Sequence, residues 1–142
     1  MNNIDRVLLE SGYIPSEKEE YMNLKHREYF RNKLLAWKEE LQNEMEGALR
    51  YLKEEKLNEP DLNDRAAAEL DTSFELRTKD RCRKLISKID QALGRIERDE
   101  YGYCEETGEP IGLKRLDARP IATLSIEAQE RHEKYERQHN ED

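Results

Sequence analysis

The residues of this chain that could do chemistry are few. Cys82 and Cys104 are its only thiols, and His26, His132 and His139 its only imidazoles. Cys104 opens the stretch Gly102-Tyr103-Cys104-Glu105-Glu106-Thr107-Gly108, which is spaced from Ser125-Ile126-Glu127-Ala128 as the halves of a C-x2-C-x17-C-x2-C zinc knuckle would be. Thr107, Ser125 and Ala128 stand where such a knuckle has cysteine. Structural zinc takes four Cys or His donors at about 2.0–2.3 Å, so these side chains predict a degenerate knuckle without zinc, folded by packing instead of metal. The three histidines fall on helical stretches at no ligand spacing and read as surface residues. Asp61 and Asp64 form a close carboxylate pair beside Pro60. No Gly-rich phosphate loop and no His/Cys/Asp constellation accompanies them, and a Cys82 on a helix seam is an inert thiol. The inventory points away from an enzyme.

Two long stretches between the prolines at 15, 60, 110 and 120 must position these groups, and both read as helices. In the first, Phe30, Leu34, Trp37, Leu41, Met45, Ala48 and Leu52 recur at spacings of three and four, which is coiled-coil rhythm. The second carries a similar seam in Phe74, Cys82, Leu85, Ile86, Ile89, Leu93 and Ile96. Between them, Pro60 cannot continue a helix, and Asp61 or Asp64 can cap the next one by accepting its free amides. So short a turn predicts an antiparallel hairpin over 23–98 with its tip near 57–66, each arm about 50 Å long. Its register places Trp37 opposite Leu85 and Leu41 opposite Cys82.

Residues 1–22 and 99–124 contain the aromatic and turn residues that the arms lack, and are expected to pack together as a small globular base. Its core would join Ile4, Val7, Leu8, Tyr13 and Ile14 to Tyr101, Tyr103, Ile111, Leu113, Leu116 and Ile121. Residues 125–142 read as a polar C-terminal helix and tail. The expected fold class is all-α: a long antiparallel coiled-coil hairpin, a small globular base domain lacking a zinc site, and a C-terminal helix.

Charge narrows the partner. The 142 residues hold 25 Lys+Arg and 33 Asp+Glu, a formal charge of −8, with 41% charged and 35% hydrophobic residues. That excess of acid disfavours a freestanding nucleic-acid binder, whose affinity comes from clustered cations, and favours a protein partner. The charge is also segregated. Glu54, Glu55, Glu59, Asp61 and Asp64 against Lys56 leave the tip near about −4, while Lys79 to Arg98 carries about +4. Lys114, Arg115 and Arg119 add a basic cluster in the base. The longest apolar runs are three residues, such as Val7-Leu8-Leu9, so neither a signal peptide nor a membrane span is expected. Two thiols in such a chain read as reduced, in a cytoplasmic setting. With both seams consumed inside the hairpin, the expected state is a monomer.

Several motifs together carry a resemblance over nearly the whole chain. They are Phe30-Arg31 with Trp37 and Leu41; Asn58-x-Pro60-Asp61-x-x-Asp64-Arg65-Ala66; Phe74-Glu75-Leu76-Arg77; Asp80-Arg81 with Arg83-Lys84-Leu85-Ile86; Gly102-Tyr103-Cys104; and Gly108-x-x-Ile111-Gly112-x-x-Arg115-Leu116-x-Ala118-Arg119-Pro120. The chain resembles the DksA/TraR family, and within it a cysteine-poor, zinc-less paralogue. The resemblance implies a bacterial transcription regulator that binds RNA polymerase directly, without sequence-specific DNA contacts, by passing its hairpin through the secondary channel and altering open-complex stability. Asp61, Asp64 and Ala66, with Asn58 beside them, match the tip that faces the polymerase active centre. Arg81, Leu85, Lys88 and Arg119 match positions facing guanosine tetraphosphate (ppGpp), the co-regulator of the stringent response. Gln129 departs from the family pattern, which has a lysine there. Two other readings compete: a Gre-like transcript-cleavage factor, which also presents an acidic coiled-coil tip, and a non-catalytic helical adaptor.

Overall fold

The structure is a computed structural model that describes residues 7–55 and 62–140, with the side chains of 62–64 outside the description. Its helices are α1 (Leu24–Glu55), α2 (Leu62–Glu97), α3 (Leu113–Ala118) and α4 (Ile126–Asn140). The chain divides into two compact units, 1–34 with 91–142, and 35–90.

Local chemistry sets the ends of the long helices. Asn23 caps α1, its Oδ1 accepting the His26 N–H at 2.8 Å. At the end of α2, Asp99 adopts a left-handed φ of 59°. Its N–H donates to the Ile96 carbonyl at 3.2 Å and the Glu100 N–H to that of Arg95 at 2.8 Å. That pair of bonds is a Schellman closure, unusual in using aspartate where glycine is favoured. The Asp99 carboxylate is held in turn by Arg27.

Within the 35–90 unit, the helices run antiparallel. Lys38 pairs with Asp90 at 2.7 Å and Glu44 with Arg81 at 2.5 Å, so the partner number falls as the α1 number rises. Leu41, Ala48, Cys82 and Ile89 are buried between them. One expected seam residue is corrected: Phe74 is 60% exposed. The buried side of α2 at that level is lined by Ala68, Thr72 and Glu75, each half-buried. One residue of phase is about 100° around a helix, enough to carry Phe74 out of the seam.

In the unit holding both chain ends, the first turns of α1 and the last turns of α2 pack with the connecting segments. Phe30, Tyr101, Leu116, Ala92 and Ala128 are fully buried there, with Ile111, Leu113 and Ile121 close to it. Phe30 and Tyr101 rings lie 5.7 Å apart, and the Tyr101 hydroxyl donates to the Pro120 carbonyl at 2.7 Å. The N-terminal contribution differs from expectation. Leu8 and Ile14 are exposed and Tyr103 partly so, while Ile4 lies outside the described residues. Their place is taken by Met22 and by His26, which has no exposed surface and is therefore not the surface histidine expected. The strap preceding α1 cannot bury Leu8 and Ile14 because its inward groups are instead Tyr13, Glu19, Tyr21 and Met22, fixed by hydrogen bonds.

Candidate functional site: hairpin and knuckle loop

Of the tip residues, Asn58 and Asp61 lie outside the described residues. Asp64 falls in the first turn of α2, and Ala66 is exposed one turn on. Farther along the same helix, Arg81, Leu85 and Lys88 recur at spacings of four and three, so they share one face. Arg81 and Lys88 are exposed and Leu85 half-buried, with Arg83 and Lys84 exposed nearby. Arg119, also exposed, closes α3 in the other unit, its N–H donating to the Arg115 carbonyl at 2.8 Å. The basic face of α2 is not wholly free: Arg81 is engaged by Glu44, a partner that the sequence pattern did not single out.

The knuckle loop is built around Gly102, whose φ is 95° and whose added Cβ would lie 2.9 Å from the Met22 Cγ and Sδ. Only glycine fits that approach. The Tyr21 hydroxyl crosses the loop, donating to the Gly102 carbonyl at 2.7 Å and accepting the Gly112 N–H at 3.0 Å. Tyr103 and Pro110 form an antiparallel bridge. Cys104 is buried at the loop's centre. Burial pushes its thiol up, but hydrogen bonds from the Thr107 hydroxyl and from the backbone N–H groups of Ser125, Thr107 and Glu106 outweigh that and bring it down to about 6. Ser125 is buried and caps α4, its Oγ accepting the Ala128 N–H at 3.2 Å. Glu106 holds α4 from the side, contacting Arg131 at 3.8 Å and His132.

These elements are those of a known family. Residues 26–96 match the N-terminal domain of DnaK suppressor protein DksA, and residues 99–134 the prokaryotic dksA/traR C4-type zinc finger. The RNA polymerase-binding transcription factor DksA of Caulobacter vibrioides (strain NA1000 / CB15N) is 61% identical over 137 residues, 96% of each chain. This chain belongs to the DksA/TraR family. The DksA of Escherichia coli (strain K12) is 44% identical over 124 residues, covering 85% of this chain and 82% of that one. The solved structure of transcription factor DksA2 from Pseudomonas aeruginosa is 46% identical and superposes with a TM-score of 0.77, covering 82% of this chain and 90% of that one. The shared fold carries the two long helices expected from sequence.

The DksA/TraR match also corrects one expectation. The zinc-finger match over 99–134 indicates a zinc-binding site in this segment, against the reading of a chain without zinc. Among the four knuckle positions, Cys104 supplies the one sulfur. Thr107 and Ser125 supply hydroxyls, and Ala128 a buried methyl group. These four side chains alone do not fit a four-cysteine tetrahedron.

Proposed function

We propose that this chain is a transcription regulator that binds RNA polymerase directly and changes promoter output. The observation that carries this reading is the 61% identity, across 96% of both chains, to a protein named as an RNA polymerase-binding transcription factor. We further propose that the hairpin acts through the polymerase secondary channel, its tip presenting Asn58, Asp61, Asp64 and Ala66 to the active centre. Two packed helices measure about 20 Å across. Carboxylates at the end of such an element can reach basic side chains, or waters of a catalytic magnesium, that a globular domain could not approach.

The exposed cations Arg81 and Lys88, with Leu85 beside them on α2, support a face for ppGpp, and Arg119, which follows α3 in the other unit, is proposed as a ppGpp contact on the family resemblance alone. A polyphosphate suits guanidinium and ammonium groups, which give it charge-assisted hydrogen bonds, Arg81 doing so in competition with Glu44. The chain acts as a monomer in the bacterial cytoplasm and performs no catalysis of its own. No helix among the described residues is long and apolar enough to cross a membrane.

Run-off transcription with purified polymerase from a stable-RNA promoter tests the proposal, comparing the chain with its Asp64→Asn variant. Asparagine is nearly isosteric, so the variant should still bind polymerase yet lose its effect on open-complex lifetime. Equal activity of the two proteins would refute the tip's role, and absence of polymerase binding by either would refute the function.

A further inference from the structure

We propose that Leu70 and Phe74 form an apolar grip on RNA polymerase, and that the surface they fit is an apolar patch of the polymerase fringed with carboxylates, an inference that rests on the polymerase-binding reading above. Leu70 is 72% exposed and Phe74 60%. Single exposed apolar residues are ordinary on a protein surface, but these two stand one turn apart on the same side of α2, just beyond the exposed Ala66 and Ala67. Together they make an apolar stripe in a chain of which 41% is charged.

Packing within the hairpin does not account for that stripe. The chain has only two phenylalanines, and the other, Phe30, has no exposed surface. At the level of Phe74, α2 instead half-buries Thr72 and Glu75. The opposite order of the neighbours Phe74 and Glu75 would bury the ring and solvate the carboxylate, which stability alone favours. The observed order keeps an aromatic surface available to a partner.

The rest of the same face names the partner's chemistry. At 100° per residue, Leu70, Phe74, Arg77, Arg81 and Lys88 fall within a sector of about 60° around α2. No Asp or Glu between 65 and 90 shares that sector, although the whole chain carries a formal charge of −8. An apolar centre bordered only by cations is complementary to an apolar surface bordered by carboxylates. A second copy of the chain would present the same cations, so like charges disfavour self-pairing through this face. Ala66, proposed to face the polymerase active centre, lies one turn before Leu70, and the proposed ppGpp contacts Arg81 and Lys88 lie beyond Phe74. Because α2 runs unbroken from Leu62 to Glu97, a helix that meets the polymerase at both of those points lays Leu70 and Phe74 against it as well.

The affinity of the full chain for purified RNA polymerase, read by fluorescence anisotropy of a labelled chain, tests the grip. Leu70→Gln/Phe74→Gln removes the apolar surface while keeping good helix formers, and should weaken binding about tenfold or more. Leu76→Gln is the control: Leu76 is also exposed, but it lies about 160° around the helix from Phe74, so its loss should change affinity by no more than about twofold. Should circular dichroism show that the double variant has lost helix, a photoreactive benzophenone side chain in place of Phe74 in the otherwise unaltered chain serves instead. It should crosslink to polymerase, and the same group in place of Leu76 should not. Undiminished affinity in the double variant, an equal loss in Leu76→Gln, or a crosslink from position 74 only to a second copy of the chain overturns the grip and leaves polymerase binding standing. Failure of the unaltered chain to bind polymerase overturns the underlying reading and the grip with it.

Discussion

Arg81 donates to Glu44 Oε1 at 2.5 Å, across 37 positions of sequence and from one long helix to the other. Both side chains are about half exposed, at 52% and 45%. The pair helps fix the register of the hairpin, and it also occupies a guanidinium proposed to face ppGpp. An incoming phosphate must compete with a carboxylate already in place.

Removing that competitor should therefore help the nucleotide. In Glu44→Gln, the ppGpp concentration giving half-maximal potentiation in run-off transcription should fall about threefold, the equivalent of an exposed ion pair of ~0.7 kcal/mol. Arg81→Ala should raise it. A Glu44→Gln protein that needs more nucleotide would count against the proposed face.

The phase of the α2 seam can be read from stability. Ile89 is fully buried, so Ile89→Ala should cost about 2–5 kcal/mol in urea unfolding. Phe74→Ala, on an exposed face, should cost at most ~1 kcal/mol. Equal losses would return Phe74 to the seam.

Asp117 on α3 accepts Lys33 Nζ at 2.7 Å and the Tyr29 hydroxyl at 2.8 Å. The Lys33 ammonium, and then the Tyr29 hydroxyl, hold its carboxyl below the usual range. A depressed folded value gives stability that is fully present above the unfolded value of about 3.9 and is lost as pH falls through the folded value. Solvent screening keeps the contribution below about 1 kcal/mol. Asp117→Asn should lower Tm by about 2–4 °C at pH 7, and the difference should close as both proteins are taken to pH 2. A gap that persists in acid would show that packing, not charge, is what the variant disturbs.

The Tyr101 hydroxyl is buried against the Pro120 carbonyl, whereas Tyr135 on α4 is 60% exposed. Tyr101→Phe leaves that carbonyl without its donor and should cost about 1–3 kcal/mol in chemical denaturation. Tyr135→Phe should be neutral within about 0.5 kcal/mol.

The amino-acid sequence by itself determined the two long helices, their antiparallel return and most of the residues between them. Those features follow from local rules: breakers at the prolines, and three-and-four spacing of Leu, Ile and Phe. It also carried the motifs that place the chain in its family. Tertiary structure decided what depends on surfaces brought together from distant positions. It turned Phe74 outward, because a seam thinning into Ala68, Thr72 and Glu75 does not fix helix phase to within one residue. It left Leu8 and Ile14 exposed, and buried His26, because burial depends on what covers a residue. It joined Glu44 to Arg81, which spacing along either helix alone could not reveal. The knuckle loop shows the same division: counting donors suggested no metal, while the family match over 99–134 indicates a zinc site. Periodicity is written along the chain, but the partner across a packed interface belongs to another part of it.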